Sequence, residues 1–145
     1  LEALVRGFAP DLLCAEISRA DWEAGHVAAL PVEYRESLMS VCRELGAVVV
    51  PVGAPWRGLP SPLRVALAVG AGPRWINSVQ ADRCHRIWAR LWSGSRQANR
   101  ELVEKILQAV RRDPGRRVLV TVRIERRYAV VQGLCQTDEV RLVPI

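Results

Sequence analysis

Lysine is almost missing from this chain. Of 21 basic side chains in 145 residues, only Lys105 is a lysine and the rest are arginines. There is one phenylalanine and one methionine. No apolar run approaches the roughly 20 residues that a bilayer-spanning helix needs, so no membrane span is expected. These residues show no basic-then-apolar pattern like that of a signal peptide, so none is expected among them.

The chemistry-bearing residues are few and scattered. The four cysteines, Cys14, Cys42, Cys84 and Cys135, stand far apart with no Cys-x-x-Cys among them. Zinc and redox sites usually show paired spacing, so neither is expected. The cysteines read as reduced core thiols of a cytoplasmic protein. His26 and His85 have no metal-ligand spacing, and Cys84 and His85, adjacent on one helix, point about 100° apart. No Gly-x-Ser-x-Gly elbow is present. Gly70 and Gly72 do not make a dinucleotide fingerprint, because Trp75 holds the third glycine's place.

What is present is a core and a lopsided charge. Half the residues are apolar, which argues against a disordered chain, and the length suits one domain over residues 1–145. Residues 1–50 carry four arginines against eight acids, whereas residues 83–127 carry twelve arginines and Lys105 against four acids. The preference for arginine fits either selection for its planar fork or a GC-rich genome.

Apolar spacing predicts a helix over residues 1–9, stopped by Pro10, then a strand in the nearly all-apolar run Leu12–Ile17. One helical turn is expected around Trp22. A helix beginning at Pro31 directs Tyr34, Leu38, Val41, Cys42 and Leu45 inward, and Gly46 stops it. Ala47–Val52 reads as the second strand. Helices follow over Leu63–Val69, Asp82–Trp92 and Gln97–Arg112, the last with an outward Glu101–Lys105 pair. Arg117–Ile124 is the third strand and Glu139–Val143 the fourth. The segment between these two fits a helix, with a hairpin as the competing pattern. Strands alternating with helices imply an α/β domain: a small, mostly parallel sheet of about four strands with helices on both faces.

In an open parallel sheet, ligands bind beyond the carboxyl ends of the strands. That rule selects Glu16, the loop from Gly53 to Trp56, Arg123–Arg127, and Pro144-Ile145. Glu16 is either a working acid or the place where a strand reaches water. The Arg83, Arg86 and Arg90 stripe opens a nucleic-acid reading, but Trp88 and Trp92 fall on the opposite, apolar side, so nucleic acid is not favoured. An apolar surface with tryptophans opens another reading, pairing with a protein partner or with a second copy.

The stretch "FAPDLLCAEI" resembles the P-D-x-x-x-x-E strand of the TraB/Tiki and EreA/ChaN-like α/β superfamily. "SRQANRELVEKILQAV", a turn and "RRVLVTV" resemble its later half. The resemblance implies a metal-dependent hydrolase fold with Glu16 as the motif glutamate. It matches Arg96, Asn99 and Arg100 to the arginine/asparagine-bearing helix. The site expected on this basis has Glu16 beside Arg100 or Arg126, with Arg96, Asn99 and Trp56 in binding roles. The family's Gly-x-x-His strand would precede Leu1, so either the chain is a fragment or the fold persists without the activity. "RIERRY" stands where a histidine is expected. The expectation is therefore a fold without hydrolase activity, with no metal assigned and the cofactor unknown.

Overall fold

The computed structural model describes residues 2–26, 34–53 and 93–143. The expected helices over 63–69 and 82–92, the arginine stripe, Cys84, His85, Trp56 and Pro144-Ile145 lie outside the described residues.

The sheet is built around one short apolar strand. Helix α1, Glu2–Phe8, ends before Pro10, and β1, Leu12–Ser18, follows. Five of its first six residues carry no charge and are buried, as a strand covered on both faces requires. β2 is Val48–Gly53 and β3 is Val118–Thr121. The order is β2-β1-β3 with both pairings parallel; Leu12 lies opposite Val48 on one side and Val118 on the other. The sheet thus has three strands among the described residues.

Residues 139–143 form no strand, contrary to expectation. Glu139 is tied elsewhere: both of its carboxylate oxygens accept from the Arg111 guanidinium, at 2.6 and 2.8 Å. Its N–H donates to the Thr137 hydroxyl. A local turn held to a helix replaces the sheet ladder.

The helices follow the pattern more closely. α2, Arg19–Glu23, is capped by Ser18, whose Oγ accepts the Asp21 N–H. α3 begins as a π-helical turn at Tyr34–Leu38 and continues as an α-helix over Met39–Glu44. Gly46, with φ of 73°, closes it: the Gly46 N–H donates to Arg43 O and the Ala47 N–H to Cys42 O, a Schellman arrangement. Leu38, Val41 and Cys42 are buried, but Leu45 is turned out at this stop. α4, Ser93–Arg112, is the long crossover helix, and α5, Ile124–Leu134, follows β3 directly. The helix thus wins over the hairpin, and the third strand ends earlier than its apolar pattern suggested.

Strand parity sorts the core. Leu13, Ala15 and Ile17 of β1 pack with Val5, Leu38, Val41 and Cys42. Cys14 packs in a second cluster with Val52, with Leu102 and Ile106 of α4, and with Val130 and Leu134 of α5. No helix among the described residues is long and apolar enough to cross a membrane.

The expected Glu101–Lys105 pair does not form. Glu101 accepts from Gln97, while Lys105 Nζ reaches the Gly53 carbonyl at the end of β2, at 3.2 Å. An exposed ion pair contributes little, so a strand-end carbonyl competes well for the ammonium. Cys135 is also corrected: it is exposed, whereas Cys14 and Cys42 are buried, and all three are free.

Candidate functional site

Glu16 stands where the strand pairing becomes irregular. Ala15 pairs with Pro51, but the next pair is Ser18 with Gly53, so β1 carries one extra residue at Glu16–Ile17. Such bulges re-aim side chains and end pairing. Pro51 has no N–H to give the ladder, and Gly53 lies so close that a Cβ there would stand 2.8 Å from the Ile17 backbone. On the other side, pairing with β3 stops at Ala15–Thr121. Glu16 shares its parity with Cys14, so it faces the side of the sheet that carries α4 and α5.

There the carboxylate meets the start of α5. Oε2 accepts the backbone N–H of Arg123, the residue that caps this helix, at 2.5 Å. Oε1 accepts from Arg123 Nε at 2.7 Å and lies 2.5 Å from Nη2 and 3.3 Å from Arg126 Nε. The Glu16 side chain is 4% exposed, against 24% for Arg123 and 17% for Arg126. A buried carboxylate needs this degree of pairing. It also lies at the positive end of α5, where an anion is favoured.

The other expected residues fall into two groups. Arg126 stands beside Glu16. Arg100 does not: with Arg96 and Asn99 it lines a groove of about 490 Å³ between α4 and α5. Arg123 lies in the Arg123–Arg127 stretch that the strand-end rule selects, but only Arg126 of that stretch was expected in the site; the place of Arg123 just past β3 at a helix cap is the signal that marks it.

A metal at Glu16 does not fit this donor set. Both oxygens are taken up by Arg123 and Arg126, and two guanidinium cations face the place that a divalent cation would occupy. Among the described residues, no three His, Cys, Asp or Glu side chains cluster as metal ligands do. In this arrangement the carboxylate is held as an acceptor for two arginines.

Comparison with protein-family models, with curated proteins and with solved structures gave no match to this chain.

Proposed function

We propose that this chain is a TraB/Tiki-like α/β domain without hydrolase activity, in which the motif glutamate anchors the fold. One observation carries the reading: both oxygens of Glu16 are engaged by the arginines that begin α5. A carboxylate held this way is neither an available general base nor an open metal ligand. Helices cover both faces of the sheet in this reading, supported by the two core clusters on alternate residues of β1. A cytoplasmic setting agrees with the free thiols.

Manganese binding followed by electron paramagnetic resonance tests the proposal. The expected result is no Mn²⁺ site that depends on Glu16. A site present in the wild type and lost in Glu16→Gln, with both proteins folded by circular dichroism, contradicts it.

A second reading is pairing with another protein chain. It is favoured by Val48, 59% exposed on the outer strand β2, and by Val143, 58% exposed beyond Val140. Sedimentation equilibrium checks it: a strict monomer at high concentration rules out self-pairing.

A further inference from the structure

The two outer strands of the sheet, β2 and β3, differ in what their open sides present. In a parallel ladder, alternate residues turn both N–H and C=O to one neighbour, and the residues between turn theirs the other way. On β2 the Val48 N–H donates to Asp11 O, so Val49, Pro51 and Gly53 face away from β1. That side is blunted. Pro51 has no N–H to offer, and the Gly53 carbonyl accepts from Lys105 Nζ at 3.2 Å. Proline and lysine are residues that protect a sheet edge from further pairing.

β3 carries no such device. Arg117 O accepts the Leu12 N–H, so Arg117, Leu119 and Thr121 face β1. Val118 and Val120 therefore turn their N–H and C=O outward. Among the described residues, nothing donates to or accepts from these outward groups. Residues 139–143, which follow α5, form no strand beside them, and Val140 packs against the core on the α4/α5 face. All of β3 is half-buried, whereas Leu13 and Cys14 of the central strand are fully buried.

Unpaired backbone groups of this kind are met by an extended chain. The sequence of β3 suits its own copy. With a two-fold axis at Leu119 the two strands run antiparallel. Val118 then meets Val120 of the second copy as a hydrogen-bonded pair, which exchanges both N–H···O=C bonds. The same register sets Leu119 against Leu119 of the second copy, Arg117 against Thr121 and Arg116 against Val122, so no arginine faces an arginine. Apolar cross-strand pairs are favourable, and like charges directly opposite are not.

We infer that the outer side of β3 pairs with β3 of a second copy, joining two three-stranded sheets into one. The inference rests on the pairing reading above and assigns the contact to β3, not β2. A four-residue strand makes a short contact, so the dimer is weak and forms as the concentration rises.

Sedimentation equilibrium and amide exchange followed by NMR test it, on the wild-type chain and on Val118→Pro. Val118 opens β3 and its N–H faces away from β1, so proline there spares the β1 ladder and removes an outward N–H from each copy. A dimer is expected at millimolar concentration, and Val118→Pro is expected to weaken it about tenfold, or about 1.4 kcal/mol. In the wild type, exchange of the Val118 and Val120 amides is expected to slow between micromolar and millimolar concentration, while the Val49 amide does not change. A dimer in which Val118 and Val120 exchange as in the monomer, or in which Val49 slows instead, overturns the assignment to β3 and leaves the pairing reading standing. So does unchanged affinity in a Val118→Pro protein that is folded by circular dichroism. A strict monomer at millimolar concentration overturns both. If Val118→Pro does not fold, the wild-type exchange measurement decides alone.

Discussion

Glu16 on β1 and Arg123 at the start of α5 are joined twice, once through the Arg123 backbone N–H and once through its guanidinium. They are 107 residues apart in sequence. The pair therefore couples the central strand to the junction where the chain leaves β3 for its last helix. Its position at the carboxyl edge of the sheet is where catalytic groups usually gather in folds of this kind. Here that position carries a buried charge cluster.

The bulge beside Glu16 depends on a close approach. Gly53→Ala puts a methyl group 2.8 Å from the Ile17 backbone, which cannot give way as a side chain would. The expected cost is about 1–3 kcal/mol in urea denaturation, the range for overpacking. Gly133→Ala meets only the Val103 side chain, and alanine also favours the helix. It is expected to cost less than Gly53→Ala. The reverse order contradicts the role given to Gly53.

Burial pushes the Cys14 thiol up to about 11. The folded state holds it neutral, while the unfolded chain ionises it near its ordinary value of 9.0. Stability from this source is complete below pH 9 and falls as the pH rises toward 11, by up to about 2–3 kcal/mol. Cys14→Ala should flatten that part of the stability profile. Mass-spectrometric mapping after alkylation at pH 8 gives a second check: Cys135 is expected to label quickly, with Cys14 and Cys42 protected. Labelling of Cys14 as fast as Cys135 contradicts its burial.

Asp11 fastens the opposite edge of the sheet. Its Oδ2 accepts the Arg117 N–H at 2.8 Å, and the Asp11 N–H donates back to the Arg117 carbonyl. That backbone hydrogen bond, with the Arg117 and Arg116 guanidinium groups behind it, holds the Asp11 carboxyl below its ordinary value of 3.8. A lowered carboxyl stabilises the fold above its unfolded value and ceases to as the pH falls through the folded one. Asp11→Asn should therefore melt earlier than wild type at pH 7, and the two melting temperatures should converge as the pH drops below 3.8. A gap that persists at low pH contradicts an ionic origin.

Much of this organisation was legible in the residues. The run "LLCAEI" announces a strand buried on both faces, and the spacing of Leu102, Ile106 and Leu107 announces the inward face of α4. Gly46 marks a helix stop and acts as one. The strand-end rule led to Glu16 and Arg126. What it could not reveal was the bulge, because a bulge is set by register against β2 and not by composition. Nor did it give Glu139 to Arg111, a contact between residues 28 apart that removes an otherwise strand-like segment from the sheet. Lys105 misled for a similar reason: its partner is a backbone carbonyl 52 residues away.

The central claim is that Glu16 exists in this fold to hold Arg123 and Arg126. A double-mutant cycle in urea with Glu16→Gln, Arg123→Gln and the pair measures it most directly. Glu16→Gln alone is expected to cost about 3–5 kcal/mol, since it leaves two guanidinium groups facing a neutral amide. The coupling energy between the two positions is expected to be about 2 kcal/mol or more. Additive effects, with a cost below about 1 kcal/mol for Glu16→Gln, contradict the claim and return Glu16 to the list of side chains free for chemistry.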